Sequence, residues 1–276
     1  MKPIVLSRGD FELIRNLINK KTGIFFDERK KYFLASRLST RMENLGLSSV
    51  RDYWYLINTD PQELSIFIES IVIPETYFFR DYPQLKMFAE DILPLVCEEK
   101  KKKINKTLRI WSAGCSTGEE PYTLSIILTE MIDNIGSWNI DILGTDINRE
   151  SLKRGQEAIY GLRSIKDVPL EYRSKYFISR DSYYLVKPQI KKFVRFSYLN
   201  LTDNLKMQTM RGFDFIFCRN VLIYFDNESS KRVISHFYDA LNKGGYIFLG
   251  SSESISRLSA AFKLVKFKNG LAYMKA

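Results

Sequence analysis

Residues Arg109 to Tyr122, RIWSAGCSTGEEPY, pass from an apolar run through a glycine-bearing turn straight into a segment that opens with two glutamates. A short strand, then Gly114 and Gly118 around Cys115, Ser116 and Thr117, then a helix start is the ligand edge of an α/β sheet, where missing side chains let backbone come close to a ligand. The common ligand of such a turn carries phosphate, drawn by bare amide groups and the positive end of the helix dipole. Glu119 and Glu120 repel phosphate. They suit a cationic ligand, and S-adenosylmethionine, with sulfonium and amino charges, a ribose and a purine, has that character. The same pair also suits plain helix capping, and the turn alone leaves both readings open.

The 276 residues suffice for one large domain or two smaller ones, and 45% hydrophobic with 27% charged residues is an ordinary soluble composition. No uncharged apolar stretch approaches the roughly 20 residues of a membrane helix, so a cytoplasmic location is expected. Cys97, Cys115 and Cys218 are far apart, which favours reduced thiols and no metal site. The single histidine, His236, falls on a helical apolar pattern with Val233, Ile234, Phe237 and Leu241 and reads as structural. Nucleophilic catalysis through a Ser-His or Cys-His pair thereby loses its usual base. The net charge of +10 asks for an acidic partner, either nucleic acid or an anionic protein surface. Much of the excess lies between Lys153 and Arg195, while Lys100 to Lys103 with Lys106 reads as a solvated connector.

From Ser7 to about Ile73 the apolar spacing is helical, with breaks at Lys21-Thr22-Gly23, Asn44 to Ser49 and Asp60-Pro61. A small all-helical domain over 1–73, a linker and connector helix over 74–107, and a sheet domain over 108–276 follow from this. The third part alternates strands and helices. LRIWSA, NIDILGTD, FDFIFC and YIFLG read as strands, Glu119 to Ile132, Asn148 to Glu157 and Asn227 to Leu241 as helices, the last closed by Gly244-Gly245. The expected fold is α/β, a Rossmann-like, mostly parallel sheet with terminal antiparallel strands around Phe262 to Phe267 and Leu271 to Met274. Between about 160 and 195, Tyr176 to Ile178, Tyr183 to Val186 and Phe193-Val194 read as a small antiparallel β insertion that holds the basic excess.

Candidate site residues collect at the strand ends. Asp146 closes the second strand, where a carboxylate takes ribose hydroxyls. Arg219, Asn220 and the Tyr224 hydroxyl follow the strand Phe213 to Cys218. Taken with ETYFFR (Glu75 to Arg80), SAGCSTGEEPY, GTDI (Gly144 to Ile147) and FCRNVLIYFD (Phe217 to Asp226), the chain resembles the CheR-type methyltransferases of chemotaxis receptors. That resemblance spans almost the whole chain. It implies a protein-glutamate O-methyltransferase that moves methyl from S-adenosylmethionine to receptor glutamates, leaving S-adenosylhomocysteine. By the same resemblance Thr76, Arg80, Gly114, Glu119, Glu120, Asp146, Asn200, Leu201, Arg219 and Asn220 contact the cofactor, and Arg80 and Tyr224 stand nearest the methyl. Lys30, Arg37 and Arg41 on the helical domain face the acidic cytoplasmic region of methyl-accepting chemoreceptors. The implied enzyme is a monomer, peripheral to membrane receptor arrays, without nucleic acid. Two departures matter. Pro74 stands where many relatives have Asn, and the insertion's turn at Ser179-Arg180-Asp181-Ser182 has no glycine, against docking of a receptor-tail pentapeptide.

Two rival readings are a nucleic-acid methyltransferase, which the charge would suit, and a non-catalytic cofactor-binding scaffold. Against the first, Arg219-Asn220-Val221-Leu222 occupies the place where amine methylation of bases commonly uses an Asn/Asp-Pro-Pro-aromatic motif. Against the second stand the intact Arg80, Asp146 and Asn220.

Overall fold

The computed structural model describes residues 4–255 and 259–276. Its first unit is four helices, α1 (Arg8–Thr22), α2 (Lys31–Asn44), α3 (Val50–Thr59) and α4 (Pro61–Ile71). Their ends follow local chemistry. Ser7 Oγ accepts the Asp10 N–H at 3.0 Å, and Gly23, at φ +76°, closes α1 by donating to Asn19 O. Ser49 caps α3, and Asp60 caps α4 with Pro61 in its first turn. The apolar faces of the four helices meet in one core built on Phe11, Ile14, Leu34, Leu38, Tyr53 and Phe67. Each such side chain contributes about 2 kcal/mol relative to exposure.

Next, α5 (Tyr82–Met87) runs through a π turn at Phe88–Ile92 into α6 (Leu93–Lys102). Pro94 has no N–H for the usual ladder, and the Leu93 N–H reaches back to Phe88 O. Phe88 stands edge-on to Phe215, Phe217 and Phe248 of the sheet, so this connector helix is built into the core of the second unit. Lys100, expected to be solvated, is mostly buried instead and lies 2.9 Å from the buried Asp214. A buried carboxylate needs a cation close by.

The second unit continues with β1 (Thr107–Ala113), α7 (Glu119–Met131), β2 (Asn139–Asp146), α8 (Arg149–Glu157), β3 (Ile159–Gly161), α9 (Leu162–Ile165), α10 (Leu170–Tyr176), β4 (Phe177–Arg180), β5 (Tyr183–Val186) and α11 (Pro188–Lys191). It ends with β6 (Val194–Tyr198), α12 (Asn204–Thr209), β7 (Phe213–Cys218), α13 (Asn227–Ala240), β8 (Leu241–Leu249), β9 (Phe262–Phe267) and β10 (Gly270–Lys275). The main sheet has the order β6-β2-β1-β7-β8-β10-β9, parallel from β6 to β8, with β10 antiparallel to both neighbours. The chain steps outward from β1 through β2 to β6, then returns to β7 on the other side. The carboxyl ends of β1 and β7 therefore flank the switch point, where such sheets bind ligands.

Two details differ from the sequence reading. Val194 starts β6, which pairs in parallel with β2, so the Phe193-Val194 pair belongs to the main sheet rather than the insertion. The small sheet is β3-β5-β4 alone. Gly244 and Gly245 do not close α13. The chain turns extended at Leu241 (φ −73°, ψ 144°), and both glycines lie inside β8. Among the described residues, no helix is long and apolar enough to cross a membrane.

Candidate active site

A cavity opens at the switch point, lined from both units by residues that include Thr22, Ile24, Thr76, Arg80, Glu120 and Asp146. Its floor is the turn after β1. Gly114 and Cys115 donate their N–H groups to Thr145 O at 2.8 and 2.9 Å, which ties the turn to the end of β2. Gly114 has φ +76°, and a Cβ there would stand 2.4 Å from Val221 Cγ2. At Gly118 (φ +92°) a Cβ would meet the Phe196 ring at 2.9 Å and Gly155 Cα at 3.1 Å. The room these glycines make is thus filled largely by the protein itself. They let the loop after β7 and the β6 edge close onto the turn.

Asp146 is buried and lines the cavity. Its Oδ2 accepts the Ser116 N–H and its Oδ1 the Asn148 N–H, both at 2.8 Å. Burial raises the pKa of this carboxyl above its ordinary value, against the opposing pull of those N–H groups. Glu120, in the first turn of α7, accepts from Ser112 Oγ at 2.7 Å and faces Arg219 Nη1 at 3.3 Å. Arg219 is itself buried. Its Nη2 donates to Arg80 O at 2.6 Å and lies 3.5 Å from Asp81 Oδ2.

Backbone strain gathers around this cavity. Phe79 and Asp81, on either side of Arg80, both have φ +59°, Asn220 has φ +59° and Ser116 φ +51°. Non-glycine residues hold such angles only where the surroundings over-determine them, and functional sites are where they cluster. Cys115 and Cys218 are fully buried beside this floor, and burial drives both thiols well above their ordinary pKa.

Of the residues singled out from sequence, Thr76, Arg80, Gly114, Glu120, Asp146, Asn200, Leu201, Arg219, Asn220 and Tyr224 line this cavity. Arg80 Nη1 donates to Glu75 O at 2.7 Å, and its guanidinium lies 5.7 Å from the Tyr77 ring centre. The Asn200 amide donates to Lys21 O and its Oδ1 accepts from Thr202, so it also fastens the end of α1. Tyr224 is 40% exposed, at the rim, with Lys30 Nζ 5.4 Å from its ring centre.

Two expectations need correction. Glu119 does not line the cavity. Its carboxylate is buried and takes the hydroxyls of Thr117 at 2.6 Å and Ser164 at 2.9 Å, so it joins the glycine turn to the insertion. Successive residues on a helix point about 100° apart, and only one of the two glutamates can face the ligand. Arg41 is not available for docking. It makes two bonds, 2.9 and 2.6 Å, to the buried Glu63, which also accepts the Tyr53 hydroxyl at 2.8 Å. Arg37 and Lys30 remain exposed, the former 5.2 Å from the Phe33 ring centre. Ile24 and Glu253 went unnoticed in the sequence. No periodicity or motif marks Glu253, whose carboxylate accepts backbone N–H groups of the loop after β7.

The cavity fits S-adenosylmethionine. Ser116 Oγ and Arg219 Nε, on two lining residues, are buried with no hydrogen-bond partner within the protein. Such atoms call for a polar ligand. Glu120 and Asp146 supply negative charge to the cavity, which suits a cationic ligand and opposes a phosphate group.

Residues 74–271 match the family described as CheR methyltransferase, SAM binding domain, and residues 9–72 match CheR methyltransferase, all-alpha domain. The chain is 37% identical over 278 residues to chemotaxis protein methyltransferase 2 of Vibrio cholerae, covering 100% of this chain and 96% of that one. It is 34% identical to the chemotaxis protein methyltransferase of Borreliella burgdorferi, covering 91% and 90%, and 30% identical to that of Escherichia coli, covering 95% and 90%. With the S-adenosylmethionine cavity at its switch point and helical and sheet units that both match, the chain belongs to the CheR methyltransferase family.

Proposed function

We propose that this protein methylates glutamate side-chain carboxylates of membrane chemoreceptors, forming the methyl esters used in chemotactic adaptation. The supporting observation is at the edge of the cavity, where Tyr224, a lining residue that stays 40% exposed, has the Lys30 ammonium of the helical unit 5.4 Å from its ring centre. A phenol that donates a hydrogen bond and a nearby cation suit an anionic carboxylate. When bound, S-adenosylmethionine supplies a methyl group activated by a sulfonium. Glu120, Asp146, Thr76, Arg80, Asn220 and Leu201 would hold it.

The chain's own residues need supply little acid-base chemistry. A glutamate, with a reference pKa near 4.3, is already an anionic nucleophile at neutral pH. Orientation and exclusion of water are what remain, and Tyr224 and Lys30 provide orientation. The hairpin of the insertion turns through Asp181 and Ser182 only, with Asp181 at φ +50°, and we assign it no part in gripping a receptor-tail peptide.

The test is incubation with labelled S-adenosylmethionine and either chemoreceptor membranes or RNA, followed by mild base. Label released as methanol from the membranes supports carboxyl methylation. Base-stable label on RNA would replace it with nucleic-acid methylation.

A further inference from the structure

The Glu253 side chain receives four backbone N–H groups. Oε2 accepts from Gly250 at 2.7 Å and Asn220 at 2.8 Å, and Oε1 from Val221 at 3.0 Å and Ile223 at 3.2 Å. Three of the four belong to the loop after β7, which carries Asn220 and Tyr224 to the cavity. The far end of this loop is fastened to the helical unit by the Phe25 N–H to Tyr224 O bond and the Ile24–Phe225 bridge, and Glu253 holds its near end. The loop is neither strand nor α-helix beyond a single 3₁₀ turn at Leu222–Tyr224, and Asn220 sits at φ +59°. Consecutive N–H groups turned to one side form a concave anion seat, and a carboxylate in it makes charge-assisted bonds.

Neighbouring contacts leave no slack. A Cβ on Gly250 would lie 2.8 Å from Glu253 Oε2 and 2.9 Å from Asn220 N, so the clamp is closed at close range on its own strand end. Val221, held by Oε1, is the residue packed over Gly114 in the floor of the cavity.

We infer that Glu253 is a positioning residue for methyl transfer, setting the place of Asn220 and Tyr224 by holding the loop between them. Glu253 is not among the residues that line the cavity. Its action passes through four N–H groups that would otherwise point at one another's dipoles with no acceptor. Because Asn220 and Tyr224 are assigned to the reaction under the function proposed above, the inference rests on that reading.

Glu253→Gln is the informative variant. The amide keeps shape and volume, but its NH₂ end is a donor facing donors, so two of the four bonds are lost. Turnover on chemoreceptor membranes should fall about tenfold or more, as expected when a reacting group is misplaced by a fraction of an ångström. In a cycle with Tyr224→Phe, the double variant should fall scarcely further than Glu253→Gln alone, because both changes act on one group. Unchanged turnover, or losses that multiply, would overturn the inference, since a merely structural glutamate predicts independent effects. Amide exchange in the wild-type protein gives a second decision that needs neither the variant's folding nor any substrate. The N–H groups of Asn220, Val221 and Ile223 should exchange far more slowly than those of an exposed loop, and rapid exchange would refute the clamp. A wild-type protein inert toward receptor membranes would count against the substrate reading, and the exchange result would then decide the clamp on its own.

Discussion

Glu120 and Arg219 face one another across the switch point, with Oε2 and Nη1 3.3 Å apart, although one lies at the start of α7 and the other after β7. Both side chains are mostly buried, and Arg219 also takes Asp81 at 3.5 Å. Removing one member leaves the other's charge inside without its partner. Glu120→Ala should therefore lower stability by about 2 kcal/mol, less than for a fully isolated pair because Asp81 remains. It should also weaken S-adenosylhomocysteine binding, and titration calorimetry with thermal melts separates the two losses.

Arg37 and Arg41 are one helical turn apart yet should behave differently. Arg41→Ala strands the buried Glu63 and should destabilise the helical unit by about 3 kcal/mol, measured by urea unfolding. Arg37→Glu should leave stability within about 0.5 kcal/mol. Under the proposed function it should reduce methylation of chemoreceptor membranes while cofactor affinity holds.

Gly114→Ala combines a left-handed backbone with a Cβ driven into Val221. Loss of about 2 kcal/mol or more in stability and a sharp loss of cofactor affinity are expected. Adding Val221→Ala should recover only part of the affinity, because the backbone strain stays.

Asp226 links the two units, since Oδ1 caps α13 through the Ser229 N–H at 2.7 Å and Oδ2 accepts the Asn19 amide of α1 at 2.5 Å. Burial alone would raise its pKa, but the bonds from Ser229 and Asn19 outweigh it and hold the carboxyl below its ordinary value of 3.8. With a depressed native pKa, the unfolded chain binds more protons on acidification. The stabilisation is full above the ordinary value and is lost as pH falls through the native one. Asp226→Asn keeps a good cap and should flatten the acid limb of the unfolding free energy, followed by urea titration from about pH 5 down to about pH 2.

The strand and helix alternation after Leu108 was readable because a sheet buried on both faces leaves long apolar runs, and FDFIFC is buried at every position of β7. The caps Ser7, Ser49 and Asp60 were readable for the same local reason. Phe193-Val194 misled because a short edge strand with alternating exposure looks alike in a parallel or an antiparallel setting. The fates of Arg41 and Glu119 depended on Glu63, Thr117 and Ser164, and all but Thr117 lie more than 20 positions away, beyond the reach of local patterning. Glu253 was invisible for a further reason. It acts on main-chain groups, and these carry no sequence signal at all.

The loop after α1 supplies Ile24 to the cavity wall, pairs as a β-bridge with Phe225, and sends the Phe25 N–H to Tyr224 O at 2.8 Å. Under the proposed function, recognition and catalysis are thus not separable cassettes. Exchanging the helical unit between relatives to retarget the enzyme would transplant part of the catalytic wall with it, so a working chimera must carry the seam residues Ile24 and Phe25 matched to the Tyr224-Phe225 pair they meet.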